Sequence, residues 1–228
     1  MPKVFGYEHV TFLVVFIIFM SLSLSWSIKK FREGKDMATY FKIGGACLLF
    51  AIIWNRISIA IGTEDVMAIL PDSFCGLSSL ALALGLILLR KDHPYFHSVA
   101  YMGLIGGIIT LIYPDFISQS DSVFYQMTIS GLIHHALVTW LAISMIVHRY
   151  INPSWSMWHW FPIGLSFYMS YGLFLVTILN LENAMLINEP ILPGTPLNWF
   201  VMGILVFIVH ALLLTFLKGL PRRENVSR

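Results

Sequence analysis

The chain has little charge. Only 11% of its 228 residues are Asp, Glu, Lys or Arg, whereas 57% are hydrophobic. Soluble domains carry about 25% charged residues. Because so few polar side chains cannot cover the surface of a soluble fold, the composition excludes an ordinary soluble protein and predicts an integral membrane protein.

Cysteine is also scarce. Cys47 and Cys75 are the two cysteines, and they form neither a CxxC pair nor a disulfide framework. Cys47 lies within an apolar run, where a cysteine is expected to act as a small packing residue. The chain has no internal repeat and no glycine-rich phosphate loop. These absences exclude disulfide-stapled scaffolds, repeat proteins and P-loop nucleotide binding, and no cofactor is predicted.

Long apolar runs are what the chain does contain. Seven of them approach the roughly 20 residues that a bilayer core requires. The predicted fold class is therefore all-α, with seven transmembrane helices in one domain that covers residues 1–228. The first run has no basic leader and no small-residue cleavage site after it, so we expect a retained helix rather than a signal peptide. The predicted spans are 8–28, 38–61, 70–89, 98–114, 123–147, 158–181 and 197–217.

Basic residues lie on one side of the predicted membrane. They follow spans one, three, five and seven, whereas acidic residues collect in the alternate connections. Because cytoplasmic loops are enriched in Lys and Arg, we expect an outside N-terminus and a cytoplasmic C-terminus. The basic tail at 221–228 is interpreted as a topology signal near anionic lipid, not as a nucleic-acid binder. The opposite side has only Lys3, and the basic residues of the cytoplasmic connections and tail are Lys29, Lys30, Arg32, Lys35, Arg90, Lys91, Arg149, Lys218, Arg222, Arg223 and Arg228.

Two adjacent histidines, His134 and His135, lie near the middle of the fifth span. An ionisable residue at that depth marks a functional site by default. Helical spacing places His134 on one polar face with Gln126 and Ser130. A step of about 100° per residue then turns His135 towards another face, so the two rings are not expected to share a role. An adjacent pair does not supply the ligand spacing of a zinc site, so no metal is predicted.

Polar residues also lie near the outer ends of spans two and three. Pro71 suits the first turn of a helix, which would place Cys75 on the next turn. Arg56 has three possible roles: an anchor that reaches the interface, a buried partner of Asp72, or a holder of phosphate or an oxyanion. Asn183 belongs to a polar connection, 180–194, that could form a lid over a cavity.

A cysteine and a histidine on different helices can form a thiol-imidazole pair. Histidine would remove the thiol proton, and sulfur would attack an acyl carbonyl of a membrane lipid. Arg56 or Asn183 could then stabilise the negative charge of the intermediate. This chemistry predicts acyl transfer through a thioester on Cys75, after which histidine would activate the accepting hydroxyl.

The chain resembles the YwaF-like bacterial membrane proteins and their animal relative, transmembrane protein 164. The resemblance implies a seven-helix fold and transfer of fatty acyl chains between phospholipids by a cysteine and a histidine. By motif position the cysteine is Cys75 and the histidine is slightly better matched by His135, whereas the polar face of the fifth span favours His134. The resemblance rests on His9, Leu70-Pro71, Cys75, Tyr113-Pro114, His134-His135, Asn183, Met185-Leu186, Pro190 and Trp199.

Two functions remain open at this level. The first is the phospholipid acyltransferase, with Cys75 as nucleophile, His134 or His135 as base, and Arg56, Asn183, His9 and Asp72 around the substrate. The alternative is a lipid or small-molecule carrier or receptor in which the histidines relay protons. Short connections between spans favour a bacterial plasma membrane as the location.

Overall fold

The computed structural model describes residues 5–114, 122–182, 184–190 and 194–218. Within these ranges all of the regular secondary structure is helical, and there is no β-strand. Short 3₁₀ helices lie in three of the connections, at Val66–Ile69, Trp155–Met157 and Ala184–Leu186. The seven α-helices are α1 (Tyr7–Arg32), α2 (Ala38–Thr63), α3 (Phe74–Leu88), α4 (Phe96–Ile112), α5 (Gln126–Val147), α6 (Trp160–Ile178) and α7 (Trp199–Lys218).

Five of these helices are long and apolar enough to cross a membrane, namely α1, α2, α5, α7 and the α6 region. The other two are shorter, with 15 residues in α3 and 17 in α4. At 1.5 Å per residue these two extend only about 22–26 Å, less than the thickness of a typical hydrocarbon core. The predicted third span, 70–89, therefore overstated the length of its helix.

The early start predicted for the third helix is wrong for a local reason. The chain is extended at Ser73, whose hydroxyl accepts a hydrogen bond from the Gly76 N–H at 3.2 Å. This is an N-cap, and it satisfies a backbone donor that the first helical turn leaves free. Pro71 consequently precedes the helix and does not occupy its first turn.

Helix α5 forms the centre of the bundle, and α1 lies at its edge. In the most apolar window of each helix, 72% of the α5 residues are buried, against 6% for α1 and 11% for α7. The principal interfaces are α2 with α3, α2 with α5, α3 with α4 and α4 with α5. Apolar side chains such as Val14, Ile18 and Leu212 remain exposed on the outside, as expected for helices that face lipid.

Glycines allow α4 to approach both of its neighbours. A Cβ added to Gly106 would lie 2.5 Å from Cys75 Sγ on α3. A Cβ on the adjacent Gly107 would collide with Thr139 Oγ1 on α5 and lie 3.1 Å from the His135 carbonyl. Small residues at helix contacts let backbones come close. The glycine-rich fourth span thus lies between the helix that carries the cysteine and the helix that carries the histidines.

Candidate functional site

A cavity of about 390 Å³ lies within the helix bundle. Its size falls within the range of sites that bind small molecules. Residues from α2 to α7 and from the Ala184–Leu186 turn contribute to its wall, which is mostly apolar. Five residues predicted from the sequence line this one cavity: Cys75, His134, His135, Arg56 and Asp72.

Cys75 is the second residue of α3, because the helix begins at Phe74. The expectation that it occupies a later turn is therefore corrected. The positive end of the helix dipole acts mainly within the first turn. Backbone N–H groups of the first helical turn, which make no hydrogen bond within the helix, therefore lie near this thiol.

The surroundings of the Cys75 thiol come largely from α4. Gly106 has no side chain, so the Sγ atom occupies space that a Cβ at this position would need. The Thr110 side chain, one turn further along α4, lies close to the thiol. Thr110 is itself buried and lines the cavity. These two residues were not singled out from the sequence, although the glycine content of the span was a usable signal.

The His135 ring is held by the backbone of its own helix. Nδ1 lies 2.8 Å from the Gly131 carbonyl oxygen. A carbonyl can only accept, so Nδ1 carries the proton of the neutral ring and Nε2 is left unprotonated. A hydrogen bond that selects one tautomer in this way prepares the other nitrogen to act as a base.

The two histidine rings lie against each other, with their centroids 3.9 Å apart and their planes tilted by 43°. The expectation that the rings point to different faces is therefore wrong. The angular step of about 100° applies to the Cα–Cβ bonds, whereas rotation of the side chains brings the rings together beyond them. Both residues line the cavity, so one site can use both.

His134 differs from His135 in its hydrogen bonding. The Ser130 carbonyl lies close to its ring. Nevertheless neither Nδ1 nor Nε2 of His134 makes a hydrogen bond of acceptable geometry with any described residue, and both atoms are buried. Of the predicted polar face, His134 lines the cavity, whereas Gln126 and Ser130 are not among the lining residues.

Arg56 pairs with Asp72, one of the alternatives that the sequence left open. Its Nη1 donates to Asp72 Oδ1 at 2.9 Å and to the Leu70 carbonyl at 3.2 Å. The arginine side chain is 12% exposed, against 51% for the aspartate, so Arg56 is not a free anchor at the surface. Its positive charge acts on Cys75 and on both histidines. Asp72 also lines the cavity and compensates this charge, so the guanidinium is a fixed hydrogen-bond donor in the wall and not an unpaired cation.

Asn55 is a cavity residue that sequence reasoning passed over. Its Nδ2 donates to Ser130 Oγ at 3.1 Å and to the Met127 carbonyl at 3.4 Å. These bonds connect α2 to the part of α5 that precedes His134. A buried amide in an apolar span was the available signal, since such groups are retained where they have partners.

The connection after α6 covers part of the cavity, as expected for its described residues. Met185 and Leu186 line the wall, and both have positive φ angles, 53° and 58°. This backbone region is uncommon for residues other than glycine. The Met185 N–H donates to the Asp72 carbonyl at 2.8 Å, which holds the turn against the start of α3. Asn183 lies outside the described residues.

His9 does not line the cavity, contrary to expectation. Its Nε2 donates to the Leu111 carbonyl at 2.8 Å, and its Nδ1 accepts from the Phe5 N–H at 3.1 Å. Both nitrogens are thus occupied in joining α1 to the end of α4. In the described part of the chain, no group of three or more His, Cys, Asp or Glu residues is placed to hold a metal ion.

Comparison with known proteins identifies one relationship. A model of the TMEM164 family matches residues 4–220, which is nearly the whole chain. No curated protein matches the chain, and no solved structure does.

Proposed function

Because the chain belongs to the TMEM164 family, we propose that it is an acyltransferase that moves a fatty acyl chain between membrane lipids through a thioester on Cys75. Family membership and the apolar helices make the protein a multi-pass integral membrane protein. The observation that carries the proposal is the convergence of Cys75, His134, His135 and Arg56 on one cavity.

In the proposed first step, His135 Nε2 accepts the thiol proton while Cys75 Sγ bonds to the acyl carbonyl carbon of a phospholipid. The tetrahedral intermediate collapses, and the ester C–O bond breaks. The proton then passes from Nε2 to the departing oxygen, so that a lysophospholipid and a neutral histidine remain. The tautomer held by Gly131 supports this assignment to His135 over His134.

Arg56 is proposed to stabilise negative charge in this step. The guanidinium is fixed by Asp72 and by the Leu70 carbonyl, which reduces the reorganisation needed when charge develops. The group that carries the negative charge is either the oxyanion of the intermediate or the phosphate of the lipid, and a guanidinium can bind both. The apolar remainder of the wall suits acyl chains and excludes water, which favours transfer over hydrolysis.

The proposed location is the plasma membrane of a bacterium. In this proposal all seven helices span or insert into the bilayer, with the N-terminus outside and the C-terminus in the cytoplasm. The uneven distribution of Lys and Arg among the connections supports that orientation. The cavity then opens towards the outer leaflet, because the starts of α3, α5 and α7 contribute to its wall.

The proposal is tested by trapping the acyl-enzyme. The protein in lipid nanodiscs is incubated with a phospholipid that carries a labelled acyl chain, and covalent label is measured with and without hydroxylamine, which cleaves thioesters. We expect hydroxylamine-sensitive label on the wild type and on Cys47→Ala, but none on Cys75→Ala.

The matched control is informative because Cys47 is exposed and does not line the cavity. Acyl transfer that survives Cys75→Ala would overturn the proposal. A Cys75→Ala variant that still binds or moves lipid as the wild type does, in a protein that never becomes labelled, would support the carrier alternative.

A further inference from the structure

His134 is the buried histidine of the cavity that lacks a protein partner. His134 is 2% exposed, and neither of its ring nitrogens makes a hydrogen bond of acceptable geometry within the described residues. A buried polar group without a hydrogen-bond partner destabilises the folded protein. Most buried polar groups in folded proteins are hydrogen bonded, so a buried group without a hydrogen bond calls for an explanation. A ligand that binds in the cavity and hydrogen bonds to this ring would supply one.

Other buried histidines show that the bundle can satisfy an imidazole where the role is structural. His9 contacts the Leu111 carbonyl, and His148 Nε2 lies 2.8 Å from Ser27 Oγ. His210 also has an unpartnered Nε2, but its ring stacks on Phe161 with centroids 4.1 Å apart, and it does not line the cavity. His134 alone among these four combines unpartnered nitrogens with a place in the cavity wall.

The position of His134 separates its possible role from that of His135. His135 is oriented by Gly131 and has one free nitrogen, which suits a base that serves one atom. Neither nitrogen of His134 makes a hydrogen bond of acceptable geometry, although the Ser130 carbonyl lies close to the ring. The neutral ring therefore keeps one unprotonated nitrogen that can accept a hydrogen bond from a ligand. Ser130, one turn earlier, is held by Asn55, which fixes the α5 segment that presents this ring.

We infer that His134 binds and activates the hydroxyl group of the acceptor lipid, an inference that rests on the proposed acyltransferase function. Its unprotonated nitrogen accepts a hydrogen bond from the free hydroxyl of a lysolipid. A hydroxyl matches the site because it is neutral, can lie beside apolar wall residues and needs a base before it becomes a nucleophile. The two histidines thus serve different halves of the reaction.

The second half-reaction then proceeds as follows. His134 takes the hydroxyl proton as the lipid oxygen bonds to the thioester carbonyl carbon. The C–S bond breaks, and the product ester leaves the site. The departing sulfur takes the proton back from His134. Cys75 returns as a thiol, both rings return to the neutral form, and no further reactant is required.

The experiment measures the two half-reactions separately in nanodiscs. Single-turnover labelling from a phospholipid reports acylation of Cys75, and added lysophospholipid with a free glycerol hydroxyl reports transfer. For His134→Gln we expect acylation at the wild-type rate and transfer slower by on the order of 100-fold, so the acyl-enzyme accumulates. For His135→Gln we expect loss of acylation itself. His210→Gln is the matched control, and it should leave both rates unchanged.

Hydroxylamine provides a second measurement, because this strong nucleophile does not need the base. It should discharge the acyl-enzyme of His134→Gln as fast as that of the wild type. The inference is overturned if folded His134→Gln transfers at the wild-type rate, or if it loses acylation as His135→Gln does. If His134→Gln is unfolded by size exclusion, His134→Asn is measured under the same criteria. A wild-type protein that never forms an acyl-enzyme overturns the proposed function itself.

Discussion

At the scale of single residues, the thiol of Cys75 depends on a neighbour that has no side chain. Gly106 leaves open the space beside Sγ, and Thr110 contacts the thiol from the next turn of α4. Chemistry that needs a sulfur, a base and a carbonyl carbon in line tolerates little displacement. The geometry of the nucleophile is therefore set by α4 as much as by α3.

Gly106→Ala should reduce acyl transfer while the protein stays folded. The new Cβ would lie 2.5 Å from Cys75 Sγ, so the thiol must move. A displacement of about 1 Å can lower a rate by on the order of 100-fold. Gly203→Ala is the matched control, because it adds a methyl group to the same cavity wall but meets only Leu165 Cδ2, at 3.6 Å, an ordinary contact. Acylation rates and thermal melting of both variants test this prediction, and equal rates would contradict it.

Arg56 permits a second prediction at the residue scale. Arg56→Gln should lower acyl transfer strongly, because the guanidinium that would face the developing negative charge is lost. It should also cost about 1–3 kcal/mol of stability, because the side chain is only 12% exposed and its hydrogen bond to the Leu70 carbonyl is removed. Transfer rates and the melting temperature are compared with those of Lys30→Gln, which breaks an exposed ion pair at the end of α1. A variant that melts far earlier at an unchanged rate would show a purely structural arginine.

At the scale of elements, the site depends on how helices begin and on how they are joined. The Ser73 cap starts α3 immediately before the nucleophile. Asn55 joins α2 to α5 at Ser130, one helical turn before His134. The Met185 N–H joins the α6–α7 connection to the residues just before α3. Each of these bonds positions a functional side chain without itself touching Cys75.

The α2–α5 connection is tested by a double-mutant cycle. Asn55→Ala removes the donor to Ser130 Oγ, which keeps only its own bond to the Met127 carbonyl, and the loss should cost about 0.5–1.5 kcal/mol. Ser130→Ala removes the same bond from the other side. The double variant should therefore lose less stability than the sum of the two single changes. Unfolding in detergent measures the three variants, and strictly additive losses would show that the bond contributes nothing.

At the scale of the whole molecule, the uneven distribution of charge predicts how the bundle lies in the membrane. The connection between α2 and α3 contains Glu64 and Asp65, whereas Arg149 follows α5. Basic connections are retained in the cytoplasm. This asymmetry is independent of the cavity and can be tested without knowledge of the substrate.

Cysteine labelling of intact cells tests the orientation. Both native cysteines are changed to alanine, and a single cysteine is introduced at Thr63 or at Ser156, two exposed polar positions at opposite ends of the bundle. An impermeant maleimide should label Thr63→Cys in intact cells and Ser156→Cys only after the membrane is opened. The reverse pattern would overturn the proposed topology, and labelling of both in intact cells would contradict it as well.

The sequence by itself determined the class of the protein and most of its helices. A bilayer excludes unpaired backbone groups, so apolar runs of sufficient length have few structures available other than helices. For the same reason, costly polar residues in these runs were good indicators of the cavity, and Cys75, His134, His135, Arg56 and Asp72 all line it. The start of α3 was misplaced, because a cap depends on whether one hydroxyl reaches one N–H.

Only the tertiary structure decided how these residues meet. The contact between the two histidine rings depends on side-chain rotation, which helical spacing does not specify. The pairing of Arg56 with Asp72, the use of His9 between helices and the approach of Gly106 to Cys75 depend on how separate helices pack. Periodicity assigns a residue to a face of its own helix, whereas the partner of that residue is set by close packing among all of the helices.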